Sequence, residues 1–322
     1  MEIRGGIDLG GTKIQAVVVD ESAGILGDAR RPTPKDGGVE GVTQAMSETL
    51  AEALQSASLD GTQLAGVGIG SPGTIDAGAG TVANAMNVVP DWKEAYPLGP
   101  IVSKLAGVPV SLGNDVQVAT AAEFRLGAGE PYRSLLGVFW GTGVGGGLIL
   151  DGKPWVGRGA GGEIGHMVIR RGGARCTCGR IGCMEAYAGR RAMELHARHL
   201  HEDRGRHTDL FKIMHKHDRT QLSSGIWERA LREDDELAHH LIDRAVAALG
   251  AGIASAVNLL DVEAVVIGGG MGVRLGQPYV DRIVEAMHPH LFVDDRPPDV
   301  RLAELGDLGG AIGAALLATP SS

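Results

Sequence analysis

Cysteine is scarce in this chain, with three residues in 322. Aromatic side chains make up only 4%, too few for the stacking platforms of single-strand nucleic-acid binders. Basic residues are outnumbered 30 to 39, and the net charge of −9 offers no global field for nucleic acid or an anionic membrane. The opening Met1-Glu2-Ile3-Arg4-Gly5-Gly6 has no basic n-region or apolar h-region. No apolar run approaches the roughly 18 residues of a bilayer span. These absences predict a cytoplasmic protein whose thiols stay reduced. A Walker A loop is missing too, and no G-x-G-x-x-G stands at the end of the first strand.

Glycine is what the chain has in plenty: 51 residues, gathered in short loops between apolar runs. An apolar fraction of 43% is ordinary for a globular protein, and the length suffices for two domains. The few cysteines are concentrated. Cys176, Cys178 and Cys183 lie within eight residues, and His166 stands ten residues before the first. Three thiolates and one imidazole are a complete tetrahedral set for Zn²⁺. Four protein ligands leave no open position for a catalytic water, so such an ion is structural. Three unrelated buried cysteines are the plainer alternative, and a disulfide would leave one thiol over.

Strand and helix patterns alternate along the chain, which predicts mixed sheets with covering helices. Residues 3–7 and 14–19 read as a hairpin around Asp8-Leu9-Gly10-Gly11-Thr12-Lys13. Residues 134–139 and 144–150 read as a second, around Gly141-Thr142-Gly143, about 130 residues later. Two glycine turns offering backbone N–H groups suit the phosphates of a nucleotide. Residues 39–57 form a predicted helix with Val42, Met46, Leu50 and Leu54 on one stripe. Strand 64–69 stops at Gly70-Ser71-Pro72-Gly73, and helix 97–106 follows. Strand 108–112 delivers Asn114 and Asp115 to its C-terminal end, where open α/β sheets place ligands. Asp115 reads equally as the N-cap of helix 116–126. Helices are predicted at 184–200, 235–260, 278–288 and 306–318, and strands at 263–267 and 300–303. Strand 263–267 runs into Gly268-Gly269-Gly270. Six of the eleven histidines fall between His196 and His217, which reads as a solvated helical segment and not a second metal site.

The run His166-x9-Cys176-x-Cys178-Gly179-x2-Gly182-Cys183-x-Glu185 closely resembles the zinc signature of the ROK family (repressors, open reading frames and sugar kinases). Asp8-Leu9-Gly10-Gly11-Thr12-Lys13, Asn114-Asp115, the Gly141–Gly147 run, Gly161-Gly162-Glu163-Ile164-Gly165-His166 and Gly268-Gly269-Gly270 match family marks in order. The likeness covers nearly the whole chain. It implies an α/β, two-domain actin-like ATPase/sugar-kinase (ribonuclease H-like) fold with mixed sheets and an interdomain cleft. Residues 1–114 with about 305–322 would make a small N-terminal domain, the last helix crossing back to it. Residues 115–304 would make the large domain with the zinc loop.

The resemblance also implies ATP-dependent phosphorylation of a hexose, D-glucose to glucose 6-phosphate foremost. Fructose, N-acetylglucosamine and N-acetylmannosamine are alternatives within the family, and ADP or polyphosphate are alternative donors. A sugar-responsive transcriptional regulator lacking its DNA-binding domain is the rival outside catalysis; the first phosphate loop begins at Asp8, which leaves no room for a helix-turn-helix domain. Phosphoryl transfer needs positioning, charge neutralisation and one base. Asp115 is the expected base, and Asn114 a partner for a neighbouring hydroxyl. Gly10, Gly11, Thr12, Lys13, Thr142 and Gly143 are candidates for the phosphates, and Gly269 and Gly270 for the nucleoside. Asp8 is expected to hold Mg²⁺ through water, or else to be a turn carboxylate bonded to backbone N–H groups. Positions matching Glu163, His166 and Glu185 bind sugar hydroxyls in family kinases, the histidine while ligating zinc. Asn87 and the Ser71-Pro72-Gly73 turn are expected to complete the pocket. Hexose and ATP are the expected partners of a homodimer or homotetramer, with no nucleic acid and no membrane. One departure stands out: family glucokinases often read Glu-Asn-Asp-Ala-Asn where this chain reads Gly113-Asn114-Asp115-Val116-Gln117.

Overall fold

The computed structural model describes residues 2–318. They fall into two units, one drawn from Met1–Glu130, Pro154–Gly161 and Glu304–Ser322, the other from Pro131–Lys153 and Gly162–Ala303. In the first, β1 (Ile3–Leu9) and β2 (Lys13–Val19) form the predicted antiparallel hairpin, and β3 (Ile25–Pro32) pairs antiparallel with β2. β4 (Leu64–Ser71) lies parallel to β1, β5 (Thr74–Asp76) and β6 (Thr81–Ala83) make a small hairpin, and β7 (Val110–Asn114) lies parallel to β4. The sheet order is β3-β2-β1-β4-β7.

Each face of this sheet is covered. The helix Gly38–Ser56 buries Val42, Met46, Leu50 and Leu54, the four positions its spacing singles out. They join Ile7, Ile14, Ile69 and Leu98 in one core. The helix Gly309–Ala315 packs on β1 and β4. Its approach needs glycine beneath it. A Cβ on Gly6 would lie 2.0 Å from the Ala311 carbonyl oxygen, and one on Gly68 1.7 Å from that of Ala314. This helix is shorter than the predicted 306–318, with a single 3₁₀ turn at Gly306–Leu308 before it.

The helix Asp115–Leu126 packs against Gly309–Ala315. The first unit therefore continues to Glu130, past the division expected after Asn114, and takes in Pro154–Gly161 as well. The buried Glu123 carboxylate accepts backbone N–H groups from Ala128 (3.1 Å), Glu304 (3.0 Å) and Leu305 (2.9 Å), fastening the returning chain. Gly113 departs from the family pattern for a steric reason: a Cβ there would stand 2.7 Å from Leu317 Cδ1.

The second unit repeats the plan. β8 (Leu135–Trp140) and β9 (Val144–Leu150) form the other predicted hairpin, with the two-residue β10 (Lys153–Pro154) beyond β9. β11 (Ala264–Gly268) runs parallel to β8, and β12 (Asp299–Leu302) parallel to β11, giving the order β10-β9-β8-β11-β12. Its core is organised on the helix Glu236–Leu260, whose Leu237, Leu241, Ala245, Leu249, Ile253 and Val257 are all buried. Asp235 caps it, accepting the Ala238 N–H at 2.8 Å. By length and composition this helix could cross a membrane, which the absence of long apolar runs did not lead one to expect. Yet 67% of its apolar stretch is buried in the unit, so it is a core helix.

The single helix expected over 184–200 is broken. Glu185–Ala188 and Arg190–Arg198 are separated at Gly189, and a π-helical turn, His199–Asp203, follows. The cause is a competitor for a carbonyl. The buried Trp140 indole N–H donates to Ala188 O at 2.7 Å, occupying an acceptor that a continuous helix would use.

Candidate functional site

The loop from Gly165 to Glu185 is folded back by backbone hydrogen bonds. Ile169 N donates to Gly182 O (2.9 Å), Cys176 N to Arg180 O (2.8 Å), Gly182 N to Ala174 O (2.8 Å) and Met184 N to Met167 O (2.9 Å). These bonds gather His166, Cys176, Cys178 and Cys183 so that their ligand atoms all lie within 4.8 Å of one another. His166 Nδ1 is 3.9 Å from the Cys176 sulfur, and the Cys178 and Cys183 sulfurs are 3.8 Å apart. Thiolates at about 2.3 Å from a tetrahedral Zn²⁺ stand roughly 3.8 Å from each other, so the spacing fits the ion. The acid–base chemistry fits as well. Burial pushes the Cys176 thiol up to about 12 and raises Cys183. At Cys178 burial also pushes upward, but hydrogen bonds from the Arg180 backbone and the neighbouring thiols bring it to about 7. Thiols this close resist ionising together, and a divalent cation supplies the charge that replaces their protons.

Glu185 stands beside this cluster. One carboxylate oxygen accepts the Val144 N–H at 3.0 Å; the other accepts the Thr177 hydroxyl at 3.1 Å and the Cys176 thiol at 3.5 Å. A Cβ on Gly143 would fall 2.3 Å from the first of these oxygens, so the turn between β8 and β9 needs glycine for the carboxylate to dock. Glu163 is exposed, with one oxygen 3.9 Å from His166 Nε2. The structure thus brings Glu163, His166 and Glu185 to one place in the second unit.

The Gly141-Thr142-Gly143 turn is held from behind. Arg190 N and Arg191 N donate to Gly141 O (3.1 Å) and Thr142 O (3.0 Å). The Arg190 guanidinium donates to Thr142 Oγ1 at 2.8 Å and to Leu222 O at 2.6 Å. Gly269 and Gly270 open the helix Gly269–Leu275 next to this turn; the position of a Cβ on Gly141 is 3.9 Å from Gly270 N. The two glycine stretches therefore adjoin at Gly141 and Gly270.

In the first unit the carbonyls of the Gly10–Thr12 turn face Thr33 and Lys35. Thr33 Oγ1 donates to Gly10 O (2.6 Å), Thr33 N to Thr12 O (3.1 Å) and Lys35 Nζ to Gly11 O (2.9 Å). Asn87 lies against this turn: a Cβ on Gly11 would be 2.3 Å from Asn87 O. Lys13 is ion-paired with Asp307, which also accepts from Arg30 at 3.3 Å and Gln15 at 3.4 Å. Asp8 packs against Gly310. Burial pushes its pKa up to about 6 against the pull of Lys13. The cap of Asp115–Leu126 is Asn114 and not Asp115: Asn114 Oδ1 accepts from Val116 N (3.1 Å) and Gln117 N (3.2 Å). Asp115, half-buried, begins the helix with its own Oδ1 3.0 Å from Val116 N. Ser71 is buried and its hydroxyl donates to Pro72 O at 3.0 Å.

Three polar residues escaped the sequence reading. Asp307 holds Lys13, Arg190 holds Thr142, and Gln117 donates to Gly161 O (2.9 Å) and Gly159 O (3.4 Å), securing the Pro154–Gly161 segment. Only Gln117, next to the Asn114-Asp115 pair, carried a signal. The histidines of 196–217 make no metal cluster: among the described residues the only such group is the His166 set. His199 pairs with Asp203 (2.7 Å), and His201 with Arg206 O (2.9 Å).

The family model described as ROK family matches residues 4–320. The chain is 33% identical over 316 residues to a glucokinase of Thermotoga maritima, covering 96% of this chain and 95% of that protein. It is 32% identical over 311 residues to an N-acetylmannosamine kinase of Haemophilus influenzae, with 96% and 93% covered. Its fold is similar to that of a ROK family glucokinase from Streptomyces griseus solved with glucose and AMPPNP, at a TM-score of 0.83 and 32% identity, covering 98% of this chain and 99% of that one. The expected actin-like, ribonuclease H-like sugar-kinase fold is thus the observed one. A match over almost the whole length, with the motifs in order, leaves one assignment: the chain belongs to the ROK family.

Proposed function

We propose that this ATP-dependent sugar kinase transfers the γ-phosphoryl group of ATP to D-glucose, giving glucose 6-phosphate and ADP. The observation that carries the reading is Glu185, one carboxylate joined both to the β8–β9 turn and to the cysteine loop. Beside it, Glu163 and His166 offer further acceptors and donors, and a set of this kind rejects a sugar whose hydroxyl pattern leaves them unpaired. Asp115 accepts the proton of the attacking hydroxyl as the phosphoryl group leaves ATP. Asn114 spends its carbonyl oxygen on the helix cap, so its amide nitrogen is the group that donates to the sugar. Asn87 contributes from beside the Gly11 turn.

Gly10, Gly11, Thr12 and Lys13 bind phosphate oxygens from one turn, Thr142 and Gly143 from the other, and Gly269 and Gly270 meet the nucleoside. A Mg²⁺ ion brought with ATP would be neutralised by Asp8 through water. A Zn²⁺ ion held by His166, Cys176, Cys178 and Cys183 would serve as a cross-link. Its effect is to orient His166 and Glu185.

The working form is a cytoplasmic homodimer or homotetramer, which sedimentation would check. The second reading is a kinase for an N-acetylated hexose, favoured by the 32% identity to an N-acetylmannosamine kinase. A coupled assay of ADP release over glucose, fructose, mannose and the N-acetylhexosamines separates the two. Glucose should give the highest kcat/KM. A higher value for an N-acetylhexosamine selects the second reading, and no sugar-dependent ADP release together with specific operator binding would mean a regulator.

A further inference from the structure

Behind the cysteine loop, in the second unit, lies a cavity of about 270 Å³. Its wall includes Arg175, Thr177, Tyr187, His196, His199 and Arg244, and it contains no aspartate or glutamate. The Arg244 guanidinium lies 5.6 Å from the centroid of the Tyr187 ring. Among the described residues neither Arg175 nor Arg244 has an ion-pair partner. The carboxylates that could neutralise them are committed elsewhere. Asp243 pairs with Arg282 at 2.6 Å, Glu194 with Arg198 at 2.8 Å, and Asp203 with His199 at 2.7 Å. The His196 and His199 rings stack, 6.2 Å apart at 27°.

Two guanidinium groups without an ion-pair partner, beside an imidazole stack, give this concave wall an unbalanced positive charge to which an anion is complementary. Burial and the neighbouring arginine lower the His196 pKa, and burial lowers that of Arg244, as expected where positive groups crowd without a counter-charge. Guanidinium forks match tetrahedral oxyanions bidentately. We propose that this cavity is a second anion site that binds a phosphate group, either free phosphate or the phosphate of a small monoester such as a hexose phosphate. The volume of about 270 Å³ lies at the low end of small-molecule pockets, about 300 to 1,000 Å³, and accommodates a phosphate or a small monoester. It shares no residue with the candidate sugar or nucleotide sets, and its link to them is Thr177, whose hydroxyl donates to Glu185 at 3.1 Å.

Calorimetry on the full-length protein saturated with glucose and AMPPNP tests the site with the reaction centre filled. Inorganic phosphate and glucose 6-phosphate are the probes. Arg244→Met keeps the aliphatic packing against Tyr187 and removes the charge; Arg175→Gln removes the exposed cation. Either loss should weaken phosphate binding by about 10- to 100-fold, the usual consequence of losing a hydrogen bond to a charged group. The turnover number and zinc content should not move. Tighter binding of glucose 6-phosphate than of phosphate identifies the monoester as occupant, and equal binding identifies free phosphate. No binding by the wild-type chain, as when a second copy covers the face, or equal affinity in wild type and both variants, overturns the proposal.

Discussion

Glu185 and Val144 are joined by one hydrogen bond of 3.0 Å, from a backbone N–H at the start of a strand to a carboxylate 41 residues later. The bond ties the β8–β9 turn to the cysteine loop, because the same carboxylate also receives Thr177. A change on the turn should therefore be felt on the loop.

Gly143→Ala tests this directly. The added methyl group would fall 2.3 Å from the Glu185 oxygen, and the flexible carboxylate should swing off Val144. Leaving a donor unpaired costs roughly 1–3 kcal/mol, so the sugar KM should rise by about 5- to 100-fold. Zinc content should stay unchanged. Steady-state kinetics with metal analysis reads both, and an unchanged sugar KM would detach Glu185 from sugar binding.

Asp115→Asn keeps the shape of the first helical residue and removes the base. Turnover should fall by roughly 10²–10⁴, with sugar affinity nearly retained because the amide still bonds hydroxyls. Calorimetric affinity and kcat, measured on one preparation, decide it; near-normal turnover takes Asp115 out of the mechanism.

Cys178→Ser, or stripping the metal with a chelator, addresses the cluster. The native chain should carry about one zinc, and the variant none. Losing a metal that orients its neighbours commonly costs about 10- to 100-fold. That cost should appear in the sugar KM, with the ATP KM almost unmoved. Equal effects on both substrates would make the cluster a general staple of the unit.

Asp8 makes a prediction about pH. Its pKa rises from 3.8 to about 6 on folding, chiefly through burial. The protonated form is the one the fold favours, so its contribution is fully present below pH 3.8 and is lost as pH rises through about 6. Two units correspond to roughly 3 kcal/mol as an upper bound. Asp8→Asn, which mimics the protonated acid, should match wild type in urea unfolding near pH 4 and exceed it at neutral pH. A constant difference across that range would mean that Asp8 is not buried in the way described.

Much of the fold was legible because its signals are local. The stripe Val42, Met46, Leu50 and Leu54 and the stripe along Glu236–Leu260 each recur every four residues, and both bury as written. The metal cluster was legible because its ligands lie within 18 residues of each other, His166 to Cys183. What stayed hidden depends on partners far along the chain. Asp307 meets Lys13 across 294 residues, and nothing near either one announces it. The break at Gly189 has its cause in Trp140, 48 residues before the carbonyl it takes. Gly113 looked like a lapse from the family pattern until Leu317 was seen beside it. The assignment of the N-cap to Asp115 missed by one residue, because both neighbours are good caps and only the backbone angle at Asn114 decides between them.

The helix Gly309–Ala315 has a consequence for the order in which the protein matures. It packs on β1 and β4, strands that leave the ribosome about 300 and about 240 residues earlier. Chains are made at about 5–20 residues per second, and domains generally fold as units. The second unit, contiguous apart from the excursion at Pro154–Gly161, has all its strands available before that helix is made. The first unit must wait with the glycine-paved faces around Gly6 and Gly68 uncovered, a surface that a chaperone or another nascent chain could meet first. A released chain truncated after Ala303 should therefore protect the second unit from protease while the first is still cut.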